Sequence, residues 1–572
     1  MMRRISLLAI LCLTSLSVQA QQPHNAEITI AHRGIESLKA DVSAMLTLTN
    51  KEEQRQKETL LGFIELIELG IDQTRPLRVD ILTGASTPFY VVQVGYVAPE
   101  ADIIDNVGTN FFMKERGNKL WEVLPPDAGW FRLLPKQKTA ILILTDKASH
   151  QLLKQYILKI EDPLPDAAAM LTNNANVAAR LRNLALTPED QEKRRVGYQE
   201  AKTLQLDALQ KRPSETQTSF ALRKGLVSNQ LLEIERMIAE AANAKATVGF
   251  DIKTFKTTIR FDATAISDTS FAQTLAEFGQ KPDLFDSADK PKNSVFSLRV
   301  NHPVDSLRQE NLNRTLNLLQ ADAVDRLSGN KVISDEARTA ANSLVDGFLA
   351  VARDTIAEGN LNGFWEKLPV KLPVKNDEFT GYGAMAVKDG DRLLDVLKSA
   401  ADIGAGNAIK PSIATVGDVQ IHEVKFKKGF FSLFDLVFSG KVGYIGTSKD
   451  KVWVATGGEA ALAPLKAAIE GLKEPKENDV TLTIDGNLLP FVQQTIRVVN
   501  KLEPPKTAVQ KAARRDYLRQ LQIAAESLSD NDAASFRMNV VDGKADGVIT
   551  FDMGMIRFVS RMMATYSKNN LE

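Results

Sequence analysis

The chain has 572 residues, carries 71 Lys and Arg against 71 Asp and Glu, and is 44% hydrophobic. That balance excludes a disordered polyelectrolyte and leaves no net field to draw in a polyanion, so nucleic-acid binding is not expected. Length suggests about three or four domains, with enough apolar residues for real cores.

The first element is residues 1–20, MMRRISLLAILCLTSLSVQA, where Arg3 and Arg4 precede an apolar run that ends at the small-residue exit Val18-Gln19-Ala20. This is the pattern of a secretory signal peptide cleaved after Ala20. The run from Ile5 to Val18 is too short for a bilayer core, which takes about 20 apolar residues. Cys12, the only cysteine, follows Leu11 where a lipoprotein signal carries a small residue, so lipidation is not expected. Cleavage removes Arg3, Arg4 and Cys12, leaving a thiol-free chain with two more acids than bases. Disulfides, thiol nucleophiles and cysteine-ligated metals then drop out. No later apolar run approaches spanning length, so the expectation is an exported, periplasmic or extracellular protein with no transmembrane segment in the mature chain.

Farther along, short β-branched or aromatic runs alternate with helical patterns. Strands are predicted at residues 77–82, 89–97, 139–145, 247–263, 295–300, 381–387, 451–455 and 480–484. A hairpin is predicted at 535–551, turning on Asp542-Gly543, a favoured type I′ pair. Thr187-Pro188-Glu189-Asp190 predicts a helix start with a cap, a first-turn proline and acids at the positive end of the dipole. A second helix is predicted to restart at Ser214 to Gln217, after Pro213, and a third to run over 507–528 with Ala508, Ala512, Tyr517, Leu521 and Ala525 along one face.

The order of these elements repeats at an offset of roughly 300 residues. TAILILTDKASHQLLKQYI is matched by DKVWVATGGEAALAPLKAAI, and TIRFDATAISDTSFAQTLAEF by VITFDMGMIRFVSRMMATY, with Ile259, Phe261 and Asp262 opposite Ile549, Phe551 and Asp552. The predicted fold class is α+β, with two related halves, each an antiparallel-rich sheet packed by long amphipathic helices. After the signal at 1–20, the first α+β unit is 21–286 and the second 287–572, with the boundary in the polar stretch 279–293. These strand, acid-rich turn and helix units, closed by a hairpin and an amphipathic helix, resemble uncharacterised exported bacterial proteins of the planctomycete type built from tandem α+β modules. The resemblance implies a secreted or envelope location and brings no activity with it.

Ile28 to Gly34, ITIAHRG, resembles the opening strand of glycerophosphodiester phosphodiesterases, in which His and Arg meet the phosphodiester. That family next needs a Glu-Asn pair, a Glu-x-Asp metal pair and a second histidine some dozens of residues on. Here IESLKADVSAML follows Gly34, Arg78-Val79-Asp80 lacks the glutamate, and the next histidine is His150. His24, His32, His150, His302 and His422 are too scattered for a histidine metal site, and HExxH, P-loop, GxSxG and EF-hand patterns are absent. Asp389-Gly390-Asp391 and Asp530-Asn531-Asp532 are expected to be helix starts and turns rather than cation ligands, and Gly457-Gly458 a tight turn. The segment 425–438, KFKKGFFSLFDLVF, sets Phe426, Phe430, Phe431 and Phe434 beside Lys427 and Lys428. Such a mixture suits a partner or membrane surface, and equally a strand and loop whose rings fill a core.

No catalytic residue, metal ligand or cofactor is assigned. The expected function is that of an exported, non-enzymatic binding, scaffold or chaperone-like protein of the bacterial envelope, with an envelope protein or an apolar ligand as partner. The alternatives are a secreted hydrolase whose site is dispersed over loops and a structural envelope component.

Overall fold

The computed structural model describes residues 28–570 apart from 83–88, 98, 125–128, 145–149, 163, 173–174, 186, 213–214, 330–333, 370–378, 401–408, 426–441, 474–479, 502–506 and 530. The fold is α+β, with antiparallel strand pairing in every ladder whose register is defined. The chain forms two compact units whose segments interleave along the sequence. The first takes the described residues of Met1–Ala208, Leu231–Ala272 and Val548–Glu572, and the second takes those of Leu209–Gln230 and Gln273–Gly547.

In the first unit the strands are β1 (Ile28–His32), β2 (Leu77–Leu82), β3 (Phe89–Gly95), β4 (Met113–Glu115), β5 (Leu120–Val123), β6 (Gly129–Leu134), β7 (Thr139–Leu144), β8 (Val177–Arg182), β9 (Ala241–Asp251) and β10 (Lys256–Ala265). They pair in the order β4-β5-β6-β7-β3-β2-β1-β8-β9-β10. Alternation places Val91, Ile141 and Ile143 under helix His150–Lys159, whose Leu153 and Ile157 are fully buried. The opposite face sets Trp121, Phe131 and Leu133 against Ile103 of helix Glu100–Asn110. A third apolar cluster joins helices Ile35–Leu46 and Gln56–Ile67 to Met563 and Ala564 of helix Met553–Asn570. Arg561 and Lys568 of that last helix pair with Glu53 and Glu52, both at 3.0 Å.

The second unit holds β11 (Phe296–Pro303), β12 (Asn360–Pro369), β13 (Phe379–Ala386), β14 (Ile409–Val416), β15 (Val419–Lys425), β16 (Val442–Thr447), β17 (Lys451–Thr456), β18 (Val480–Asn487), β19 (Ala533–Val541) and the first half of β20 (Lys544–Phe551). Their order is β14-β15-β16-β17-β13-β12-β11-β18-β19-β20. Each ladder of the first unit thus recurs with both strand numbers raised by ten. One face packs Phe364, Tyr382 and Trp453 against helix Leu462–Gly471, and the other sets Val452 against Leu393 of helix Asp391–Ala400.

The polar stretch 279–293 is fastened onto the second unit's sheet. Phe285 is buried against Phe364 and Trp453, with ring centroids 5.4 and 6.1 Å away. Arg299 of β11 donates from Nη1 to the carbonyls of Phe285 and Asp286, and from Nη2 to Ala288. Asn301 and Asn362 donate to the carbonyls of Lys281 and Pro282, both at 3.0 Å. Backbone groups with no ladder partner are thereby satisfied by side chains of the sheet beneath.

Two local expectations are corrected. Residues 247–263 form two strands, because Asp251 accepts from the backbone N–H of Lys253 and the hydroxyl of Thr254, and Phe255 takes φ +53°. That is an aspartate-centred turn without glycine or proline. The helix expected to restart at Ser214 begins at Gln217, where Thr216 Oγ1 accepts from the Ser219 N–H at 3.1 Å, while Ser214 lies outside the described residues. The hairpin on Asp542-Gly543 forms with both φ angles positive, +51° and +70°, as a type I′ turn requires.

Candidate functional site

A cleft of about 450 Å³ opens in the second unit, lined by residues 292–295, Phe379, Asn487, Leu489, Pro490, Gln493 and Asp532. One wall is the entry to β11, where the Val295 N–H bonds to the Lys367 carbonyl at 2.9 Å. The other is the start of helix Leu488–Lys501, whose first free N–H groups call for an acceptor. Asp532 meets that need: its carboxylate accepts from the Leu489 N–H at 2.8 Å and from Asn487 Nδ2 at 2.7 Å. The helix end is therefore already neutralised from within. Asp532 thus shapes the wall by holding the helix start and the Asn487 side chain in place.

Two buried ionisable groups on successive residues of β12 lie behind the cleft. Lys367, 3% exposed, reaches Gln494 Oε1 at 3.1 Å and stands over the rings of Phe379 and Phe491, 4.3 and 4.8 Å from their centroids. Ring faces stabilise a desolvated ammonium electrostatically. Glu366, fully buried, accepts from the hydroxyls of Ser294 and Ser297, each at 2.6 Å. Burial pushes its carboxyl above the usual range, with the two serine hydrogen bonds opposing the shift. Desolvation, followed by the nearby Glu366 charge, raises the phenol of Tyr382 to about 12. Ser294 belongs both to the rim of the cleft and to the Glu366 network.

The first unit has a denser charged cluster on β2 and β8. Arg78 Nε bridges both oxygens of Asp80 at 3.0 Å, and its Nη1 reaches Asp166 at 2.7 Å. Arg180 meets Asp166 at 2.6 Å, and Thr29 and Gln93 complete Asp80 at 2.8 and 2.5 Å. The Arg180 hydrogen bond holds the Asp166 carboxyl below its usual range. These are committed ion pairs between strands and a covering helix, with both carboxylates engaged by arginine.

Comparison with protein-family models, curated proteins and solved structures found no match. The fold and the candidate site therefore rest on the residues themselves. Phe426, Lys427, Lys428, Phe430, Phe431 and Phe434 lie outside the described residues. His32, half-buried at the end of β1, accepts from the Gly34 N–H through Nδ1 at 3.1 Å, and Arg33 donates to the Ala175 carbonyl. His-Arg-Gly here closes a strand-to-helix turn. His422 is fully buried between Ser412 N and Thr447 Oγ1, at 2.9 and 3.1 Å. His302 abuts Phe278 at 4.8 Å. Asp389 and Gly390 enter helix Asp391–Ala400, and the Gly458 N–H bonds to the Val442 carbonyl.

Among the described residues no group of three or more His, Cys, Asp or Glu is placed to hold a metal ion, and no helix is long and apolar enough to cross a membrane. Asp532 is expected from the sequence only as part of a helix start or turn, which its bond from the Leu489 N–H matches, while Ser294, Asn487, Lys367 and Gln494 are not singled out by it. Their one visible signal is Glu366-Lys367 between the apolar Phe364-Trp365 and Leu368, two charges in a largely buried strand that demand partners.

Proposed function

We propose that the chain is an exported, non-enzymatic binding or scaffold protein of the bacterial envelope, built from two related α+β halves, 21–286 and 287–572, that follow a signal peptide cleaved after Ala20. The observation that carries the binding reading is the cleft at the start of β11, where apolar Val295, Phe379, Leu489 and Pro490 stand beside polar Lys292, Asn293, Ser294, Asn487, Gln493 and Asp532. A wall of mixed character, with six polar and four apolar residues, suits capture of a small amphipathic molecule or an extended peptide. Support for related halves comes from the strand orders, which coincide ladder for ladder across ten strands. Support for export is the charged, apolar and small-residue sequence of residues 1–20.

The test is native mass spectrometry of the full chain purified from its own envelope fraction, beside Gln493→Trp, which fills the cleft. The expected result is a retained small molecule or peptide on the wild type, lost in the variant at an unchanged melting temperature. Equal retention by both proteins would remove the cleft from consideration, and a mature N-terminus other than Gln21 would refute the cleavage site.

A further inference from the structure

The balanced charge of the whole chain conceals one strongly basic element. Between Arg497 and Arg519 the sequence holds seven Lys and Arg against two acids, Glu503 and Asp516. Helix Ala508–Ser527 lies in this stretch, opened by a capping box in which Thr507 Oγ1 accepts from the Gln510 N–H at 3.2 Å and Gln510 reaches back to Thr507 N. Its inward side holds Ala524, Ser527 and Leu528, and Arg514 is turned back to the Val499 carbonyl of the preceding helix. The outward side is a row at helical spacing: Ala508, Lys511, Arg515, Arg519 and Gln522, all exposed. Three cations thus recur every four residues, about 6 Å apart along the axis. Among the described residues no ion pair engages any of the three. Asp516, the one acid on the flank, makes none either.

We propose that this row, Lys511, Arg515 and Arg519, is a docking surface for the anionic phospholipid headgroups of a bilayer. The choice of partner follows from charge complementarity and from what flanks the row. Unlike single-stranded nucleic acid sites, it has no exposed aromatic residue beside the cations on which a base could stack. The apolar side of the helix is spent inside the protein, so contact is by charge alone, without insertion. The assignment to a bilayer rests on the exported reading above; the row itself does not depend on the cleft.

Surface cations gain attraction from an anionic leaflet one by one, and the field falls off within a Debye length of roughly 10 Å at 0.1 M salt. Sedimentation of the full mature chain with phosphatidylglycerol–phosphatidylcholine vesicles is expected to show binding at low salt that half-molar salt abolishes, and none to pure phosphatidylcholine. The triple variant K511Q/R515Q/R519Q is expected to partition about 100-fold more weakly with the same melting temperature, since glutamine is as good a helix former. A matched control, K114Q/K136Q/K253Q, removes three exposed cations elsewhere and is expected to bind as the wild type does. Three outcomes overturn the proposal: no binding to anionic vesicles, equal loss in the control, or tighter retention on single-stranded DNA than on vesicles at the same salt. Because Gln493→Trp leaves the row intact, it is expected to keep full vesicle binding, so failure of the cleft reading and failure of this one are told apart.

Discussion

His32 and His422 are held as neutral rings by the same device. In each, Nδ1 accepts a backbone N–H, from Gly34 and from Ser412, so the proton sits on Nε2. A second proton would have to be placed against that donor, and burial lowers both values below the usual histidine pKa. A folded value below the unfolded one, about 6.5, means that the unfolded chain takes up protons first. The stability these rings contribute is full above about pH 6.5 and is lost as pH falls through their folded values. Glu366 works in the opposite sense: its folded value is raised, so its contribution is full below the ordinary glutamate value of about 4.3 and fades as pH rises through the folded one. Urea midpoints measured from pH 7 to 5 should therefore fall for the wild type, and fall less steeply for His422→Asn. Asparagine keeps an acceptor for the Ser412 N–H and cannot titrate. Glu366→Gln should gain on the wild type as pH rises from 4 to 7. Parallel pH profiles for all three proteins would refute both assignments.

At the scale of elements, the turn from β17 into the following helices depends on Gly457. Its φ is +110°, and a Cβ there would stand 2.7 Å from Thr380 Cα and 2.8 Å from the Phe379 carbonyl oxygen. Both obstacles are backbone of β13, which is locked between β12 and β17 and cannot retreat. Gly457→Ala should cost about 2–4 kcal/mol, combining backbone strain with overpacking. Gly543→Ala, where nothing lies within 4 Å, bears only the cost of its positive φ, and should lose about 1 kcal/mol. Chemical denaturation of the two variants checks the order.

The same two glycines show what the sequence makes legible. Asp542-Gly543 between alternating runs announces its hairpin locally, and Gly457-Gly458 after KVWVAT marks a turn. The β9–β10 turn is silent, because Asp251, Thr254 and Phe255 make it with side-chain hydrogen bonds and one strained residue instead of glycine. The helix expected over 507–528 and the strand of residues 77–82 are legible for the same local reason. The cleft was not, since its walls come from residues 292–295, Phe379, 487–493 and Asp532, brought together only by the β12–β11–β18–β19 ladders. The basic row escaped for a different reason: summing charge over 572 residues cancels a local excess that helical spacing concentrates on one side.

For the whole molecule, the decisive fact is that each compact unit draws on distant parts of the chain. Helix Gln217–Glu240 supplies residues up to Gln230 to the second unit and from Leu231 to the first, and strand β20 is divided in the same way at Gly547. In the second unit the early part of that helix is fixed by Asn229 to Thr315 at 2.8 Å and by Thr218 to Asp325 at 2.6 Å. In the first, Leu231 takes the Tyr198 hydroxyl on its carbonyl, and Arg236 donates to the Ser270 carbonyl at 2.7 Å. Each part of the helix is thus held by tertiary contacts of its own unit, the source of most helical stability in folded proteins.

Trp453→Ala places its lesion in the second unit's core, where the indole is 1% exposed against Phe285 and Phe364, and should cost about 3–5 kcal/mol. Ala564→Asp, 1% exposed between Ile35, Val42 and Ile64, buries a charge in the first. Hydrogen exchange should show Trp453→Ala lowering protection in strand β17 and Ala564→Asp lowering it in helix Ile35–Leu46, each within the unit that carries the lesion. Unchanged protection of β17 in Trp453→Ala, or of Ile35–Leu46 in Ala564→Asp, would refute the role given to that side chain in its core.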